Sequence, residues 1–381
     1  MPRLRDIEPA AWDACAGSDN PFVSHAFLNA LEESGSATPE TGWVAQHLVL
    51  DDGTGGVLGA VPLYLKSHSY GEYVFDHGWA AAYEQAGGRY YPKLQVSVPF
   101  TPVTGPRLLS RPGLGATAGG VERALIAAVE ELARRHGASS VHATFLPEPQ
   151  WRGLGDAGWL LRTGYQFHWQ NRGYGSFDDF LGALASRKRK AIRKERRAAE
   201  RSGLVVRVLM GPEVGELHWD AFFRFYQETS DRKWGDPYLT RAFFSRLGAA
   251  MPERIVLILA ERDGIPVAGA LHLMGRDTLY GRYWGCHGDH KFLHFELCYY
   301  RAIDFAIANG LARVEAGAQG PHKIQRGYLP RRTYSAHWIR DPALGDAVRN
   351  FLAHERVEIE ADMRMLAEHS PFHRDHGSPP A

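Results

Sequence analysis

Two runs rich in apolar residues, 43–50 (WVAQHLVL) and 57–65 (VLGAVPLYL), flank the polar, glycine-rich DDGTGG at 51–56. That pattern predicts two strands joined by a hairpin turn. Residues 119–136 (GGVERALIAAVEELARRH) switch to helical spacing, with Val121, Leu125, Ala128 and Leu132 as the apolar stripe and Gly137 as the stop. Strands are predicted again at 141–146 (VHATFL) and 165–169 (YQFHW). The order then recurs. Residues 255–261 and 265–274 read as strands around an Arg-Asp-Gly turn, 278–285 as the next strand, and 294–309 as a helix closed by Gly310. Short strands follow at 313–316 and 334–339. Beyond 341, Leu344, Val348, Phe351 and Leu352, then Val357, Ile359, Met363 and Leu366, recur at helical spacing, and 371–381 is expected to fray.

Two similar halves in series follow from this pattern, each with antiparallel strands, a helical crossover and a closing strand. The predicted class is mixed α/β (α+β), with mainly antiparallel sheets. The boundaries are 1–170, 171–340 (opened by a basic helix at 186–201) and a helix with a frayed tail at 341–381. A doubly wound dinucleotide fold is not expected. Gly113, Gly115, Gly119 and Gly120 precede the helix at Val121, but their spacing is not G-x-G-x-x-G.

Composition narrows the class further. With 44% hydrophobic and 12% aromatic residues in 381, the chain can bury large cores, which excludes a disordered or fibrous protein. Its three cysteines (Cys15, Cys286, Cys298) lie too far apart in sequence for a disulfide framework and suit a reducing, cytoplasmic setting. No signal-peptide pattern and no apolar run of about 18 residues is present, so no transmembrane segment is expected. Charge is balanced overall, at 44 Lys+Arg against 43 Asp+Glu.

One run breaks that balance. Residues 186–201 (SRKRKAIRKERRAAER) hold nine Lys/Arg against two Glu, a local net charge of +7. On a helix, Arg187, Lys190, Lys194, Arg197 and Arg201 form one cationic stripe, widened by Arg189, Arg193 and Arg196. Like charges at these spacings repel by a few tenths of a kcal/mol per pair (roughly). Phosphates of a tRNA, of CoA or of a lipid-linked precursor would relieve that repulsion. No aromatics interleave the run, so base stacking is not expected there. The bland alternative is a solvated helix packed through Leu184, Ala191, Ile192 and Ala199.

Three further clusters carry candidate chemistry. VEAGAQGPHKIQRG brings Glu315, His322, Lys323 and Arg326 together with Gly317, Gln319, Gly320 and Gly327 in a loop after a strand. Transfer of an acyl group to an amine needs a base for the amine proton, for which His322 and Glu315 are candidates. It also needs donors for the developing oxyanion. Lys323 and Arg326 suit a phosphate or carboxylate. The start of the 294–309 helix holds His294, Glu296, Tyr299 and Tyr300, with His287, His290 and Lys291 leading in, and reads as part of a donor pocket. Neither H-E-x-x-H nor C-x-x-C spacing occurs here, so no metal is expected. In the first half, Lys66, His68, Tyr73, Asp76 and Lys93 sit among Tyr70, Glu72, Tyr90 and Tyr91 and read as a substrate groove or as the wet face of a strand. Trp79, Trp234, Tyr238, Tyr283 and Trp284 are candidates to line an acceptor site.

The longer motifs carry a resemblance. NPFVSHAFLNALEESGS from Asn20, PLYLKSHSYGEYVFDHGWA from Pro62 and YYPKLQVSVPFTPVTGPRLL from Tyr90 lie in the first half. SRKRKAIRKERR from Ser186, LYGRYWGC from Leu279, LHFELCYYRAIDFAI from Leu293 and GAQGPHKIQRGYLP from Gly317 lie in the second. Together these resemble the FemAB-like family of N-acyltransferases over about 10–370. The resemblance implies two tandem GNAT-like domains and a transferase of peptidoglycan biosynthesis or recognition. It implies an acyl-CoA or aminoacyl-tRNA co-substrate, since Fem-type aminoacyltransferases use charged tRNA and carry a basic segment where Lys188 to Arg197 stand. The acceptor would be an amine-bearing small molecule or cell-wall precursor. The acyl-CoA loop Q/R-x-x-G-x-G/A of ordinary GNAT enzymes is absent, since CHGDHKFLH stands there from Cys286. No cysteine lies in a Cys-His motif, so direct attack by the amine is expected. The rival reading is a non-catalytic module binding cell-wall fragments (muropeptides). The sequence carries no signal for an oligomeric state.

Overall fold

A computed structural model describes residues 3–233, 237–317 and 320–373. The fold is mixed α/β, and the chain divides into two compact units, Met1–Gly164 with Arg332–Glu360 and Tyr165–Arg331 with Ala361–Ala381.

In the N-terminal unit, Trp43–Ala45, Leu63–Lys66 and Lys93–Val96 pair antiparallel in that order. Lys93–Val96 then runs parallel to Ser140–Leu146. Parallel neighbours need a crossover, and the helix Ala118–Arg135 supplies it. Its buried stripe is Val121, Leu125, Ile126, Val129 and Ala133, packed with Leu94, Val96, Val141 and Ala143. The stripe thus follows Val129 and Ala133, with Ala128 exposed and Leu132 half-buried, because the larger Val129 faces the sheet. The predicted hairpin forms from Leu48–Asp51 and Val57–Val61.

In the C-terminal unit, Val205–Met210, Ile255–Arg262, Ile265–Met274 and Thr278–Cys286 pair antiparallel in sequence order. Thr278–Cys286 runs parallel to Arg313–Glu315, and the segment Leu293–Ala308 crosses between them. That segment contains one widened turn of π-helix, Glu296–Tyr300, flanked by α-helical turns. Such an insertion changes which side chains face inward and is frequent at functional sites. Leu297, Tyr299, Tyr300, Ile303 and Ala306 are all buried in this unit's core.

The units do not follow the sequence boundaries at 170 and 340. The strand expected to close the first half, within Leu160–Gln170, pairs through His168–Gln170 with Arg313–Glu315 in the C-terminal unit. The strand expected to close the second half, within Leu329–Ile339, pairs through Tyr334–Ile339 with Ser140–Leu146 in the N-terminal unit. Each half therefore lends its last strand to the other unit. The tail is likewise not separate. In the helix Pro342–Glu368, Leu344, Val348 and Leu352 bury against Trp79, Ala80 and Tyr90. Phe372 is buried and bridges to Leu184, so 371–373 are pinned where fraying was expected.

Candidate functional site

The C-terminal unit gathers the basic helix, the widened turn and the glycine-rich loop at one place. Arg326 is the joint. Its Nη2 donates to both oxygens of Glu195 (2.8 and 3.0 Å), its Nε to the Tyr300 hydroxyl (3.1 Å) and its Nη1 to the His322 carbonyl (2.8 Å). Its guanidinium also lies 3.4 Å from the centre of the Phe295 ring. The Tyr300 hydroxyl donates to Glu195 as well. Arg326 was expected to hold a substrate anion. The structure instead commits it to internal partners, so it is a positioning residue that ties the loop to the helix Ser186–Glu200. Arg326→Ala leaves Glu195 without its charge partner in a mostly buried setting. We expect it to cost about 3 kcal/mol, read as a lower urea midpoint at unchanged slope, with Arg326→Lys recovering only part.

The basic helix is two-faced. Arg187, Lys190, Lys194, Arg197 and Arg201 are exposed, while Ile192 and Ala199 are buried. Arg193 is exposed and pairs with Asp178 at 2.9 Å. Arg196 does not widen the stripe. It turns inward to Asp304 (2.6 Å) and Glu296 (3.2 Å) and lies over the Phe177 ring. Glu296 also accepts from Arg301 Nε at 2.8 Å. Burial raises the Glu296 carboxyl, opposed by those two arginines. Glu296 is thus an internal ion-pair partner in this structure and not an exposed donor ligand.

Lys323 is buried, and its Nζ donates to the Gly317 carbonyl at 3.0 Å. Gly317 has φ +77°, a conformation that favours glycine. Burial pushes the Lys323 ammonium down to about 8. His322 is exposed, and its Nε2 lies 3.0 Å from the Tyr299 hydroxyl. Burial raises the Tyr299 phenol, so it remains a neutral donor at working pH.

Glu315 ends the strand Arg313–Glu315 and is 7% exposed. Its Oε1 lies 3.9 Å from His168 Nδ1, and its Oε2 has no hydrogen-bond partner among the described residues. Burial lifts the Glu315 carboxyl to about 7, against the pull of Arg313 and Arg282. Burial, with Arg313 and Arg331 nearby, pushes His168 down to about 3, so this imidazole stays neutral and offers no counter-charge. Glu315 is therefore a carboxylate poised to exchange a proton near neutral pH, the property a general base requires. An aromatic group lies on the neighbouring elements. His294 meets Trp284 (5.3 Å between ring centres) and Tyr299 (5.2 Å), and Tyr283 meets Tyr226 (5.3 Å). His290 Nε2 lies 3.0 Å from the His287 carbonyl. Trp234 and Gln319 fall outside the described residues.

The first-half cluster is not a groove. Lys66, Asp76 and Lys93 are buried in the N-terminal unit, within one polar network that also holds Glu72 and Tyr90. His68 and Tyr73 are half-buried on the loop above it, where the His68 Nδ1 accepts from the Tyr70 amide at 3.2 Å. Neither open-groove nor wet-strand expectations describe it, because residues 67–76 fold back over the strand face. Missed from the sequence were Glu195, Arg196 and His168 in one unit and His142 and His337 in the other. The last two touch through Nδ1 atoms at 2.7 Å across a gap of 195 residues, which no local pattern announces.

Among the described residues, no three His, Cys, Asp or Glu side chains converge as metal ligands. None of the described helices is long and apolar enough to cross a membrane.

The mixed α/β fold is shared with solved structures. The chain is similar to FemX (TM-score 0.56, 12% identity, covering 92% of this chain and 99% of that one). It is also similar to L-PGS from Bacillus licheniformis (TM-score 0.53, 11% identity, 88% and 98%). At these identities the likeness shows the fold. No curated protein matches the chain. The family model for FemAB-like peptidoglycan biosynthesis/recognition proteins matches residues 3–374, and the chain belongs to that family.

Proposed function

We propose that this protein is an N-acyltransferase that moves an acyl or aminoacyl group from a thioester or aminoacyl-tRNA donor to an amine by direct attack. The observation that carries the reading is Glu315, a buried carboxylate with one oxygen that has no partner among the described residues, beside a glycine-punctuated loop. The acceptor arrives as an ammonium, and Glu315 takes one of its protons. The neutral nitrogen attacks the donor carbonyl carbon, forming a C–N bond and an oxyanion. In this reading the Lys323 ammonium and the Tyr299 hydroxyl serve as donors to that charge. Collapse breaks the bond to the thiolate or ribose oxygen, and the proton held on Glu315 passes to the leaving group. The freed Glu315 carboxylate then takes the remaining extra proton from the new amide nitrogen and releases it to solvent.

The exposed stripe supports an extended polyanion as donor. From Arg187 to Arg201 it runs about 21 Å at 1.5 Å per residue, longer than the phosphate groups of one CoA. The family resemblance points the same way, toward charged tRNA and a cell-wall amine.

A donor screen tests the reading. Purified protein is challenged with charged tRNA and with several acyl-CoA thioesters, first by melting temperature and then by transfer to amine acceptors. Charged tRNA should raise the melting temperature, with binding that weakens steeply as salt rises. An acyl group recovered on Cys286 or Cys298 by mass spectrometry would rule out direct attack. Tight muropeptide binding with no turnover on any donor would favour the recognition module instead.

A further inference from the structure

The loop that seals the polar strand face of the N-terminal unit turns one set of side chains inward and another outward. Ser69, Glu72 and Asp76 point in, where Lys93 Nζ donates to all three (2.7, 2.7 and 2.5 Å). Tyr70, Phe75 and His77 point out, with Tyr70 63% and Phe75 58% exposed. Single exposed apolar side chains are ordinary, whereas contiguous ones mark contact surfaces. These rings are contiguous. Tyr70 lies 6.1 Å from His77 between ring centres, Phe75 stacks on His77 at 6.0 Å, and the half-buried His68 adjoins Tyr70 at 5.1 Å.

Folding fixes this surface before any ligand arrives. Each outward ring is a direct chain neighbour of a residue that Lys93 holds: Tyr70 of Ser69, and Phe75 and His77 of Asp76. The Phe75 carbonyl accepts from Arg162 Nη1 at 2.8 Å, and the Tyr70 amide donates to His68 Nδ1 at 3.2 Å. Gly71 and Tyr73 between them hold positive φ (+80° and +60°). A backbone tied at so many points loses little freedom on binding, so a ligand that makes only weak contacts can still be held.

We propose that the outward rings of Tyr70, Phe75 and His77 are a binding platform for a carbohydrate, stacking against the C–H face of a pyranose ring. The face of an aromatic ring is negative, and it attracts the slightly positive C–H bonds that line one side of a pyranose. The sugar hydroxyls then meet the platform's polar edge. Among the described residues neither the Tyr70 hydroxyl nor the His77 imidazole has a hydrogen-bond partner, so both are open to them. Other occupants fit less well. Single-stranded nucleic acid needs cations along its phosphates as well as rings, yet 67–77 contains no Lys or Arg and Lys66 is buried beneath it. A second copy of the chain needs more area. Tyr70 and Phe75 together offer on the order of 250 Å², against about 800 Å² per partner in a stable protein interface. The platform stands apart from the transfer chemistry at Glu315 and does not depend on it.

The test is saturation-transfer NMR on the full chain with β-1,4-linked tetramers of glucose and of N-acetylglucosamine. Sorbitol, which has the hydroxyls without the ring face, is the control. At least one tetramer should bind at millimolar concentration, with saturation strongest on the C–H protons of one ring face, and sorbitol should not bind. Tyr70→Ala and Phe75→Ala should each weaken binding about tenfold, as loss of an aromatic anchor does. Both side chains are exposed, so the variants should keep the wild-type melting temperature. Leu217→Ala, which removes an equally exposed apolar side chain from the other unit, and Glu315→Gln should leave binding unchanged. The platform is refuted if neither tetramer binds the wild type, if sorbitol binds as well as they do, or if binding survives the double Tyr70→Ala, Phe75→Ala variant. Single-stranded RNA binding, or a dimer in sedimentation, that is lost on removing these two rings would name a different occupant and overturn it too. The wild-type arms decide the matter even if a variant fails to fold.

Discussion

Glu315→Gln is expected to slow transfer about 10²–10⁴-fold at pH 7.5 while making the folded protein more stable. Both effects have one cause. The Glu315 carboxyl is lifted from its ordinary 4.5 to about 7 because burial penalises its charge. The folded state therefore keeps a proton that the unfolded chain releases between those two values. A carboxyl raised in this way makes the fold less stable as pH climbs from 4.5 through 7, by about 3 kcal/mol at the top of the range. Glutamine preserves the shape and removes that cost. The variant should match the wild type near pH 4 and exceed it at pH 8, in calorimetry that needs no substrate. The wild-type rate should rise across pH 7 as the base ionises, and the variant should lose that limb. A variant that keeps both the rate and its rise with pH would remove Glu315 from the chemistry.

The reasons some features were legible in the sequence are physical. The helix Ala118–Arg135 announces itself by period because it buries one face, and the strand Ile265–Met274 by a short apolar run because both of its faces are buried. The loop with Glu315 and Lys323 shows itself by glycines among ionisable groups. Period does not name a partner, however. The strand Tyr334–Ile339 pairs with Ser140–Leu146 almost two hundred residues away, and only tertiary packing selects that register over a nearer one. The basic run misleads in a different way. Arg196 and Arg197 look equivalent in sequence, yet one turns inward to Asp304 and the other faces solvent. Alternation around Lys66 and Lys93 predicts one wet face. It is blind to a loop that folds back and seals that face.

Lys93→Met should be the most damaging single substitution outside the transfer site. The new side chain fits the space but leaves the Glu72 and Asp76 carboxylates, each under 5% exposed, without their shared cation. Breaking a buried pair from one side costs about 3–5 kcal/mol, a large share of the stability of any domain. The pH dependence separates this charge effect from lost packing. In the wild type, Lys93 and His142 hold Asp76 below its ordinary value despite its burial, so Asp76 contributes stability at neutral pH that fades only in acid. In the variant, nothing opposes burial strongly enough. Both carboxyls rise, the folded state takes up protons, and stability recovers as pH falls. The gap between variant and wild type in urea unfolding should therefore narrow from pH 8 to pH 5. Adding Glu72→Gln and Asp76→Asn to Lys93→Met should restore much of the loss at pH 8, because an uncharged network no longer needs the cation. A gap that stays constant with pH, or a triple variant no better than the single one, would mean that Lys93 acts by filling space.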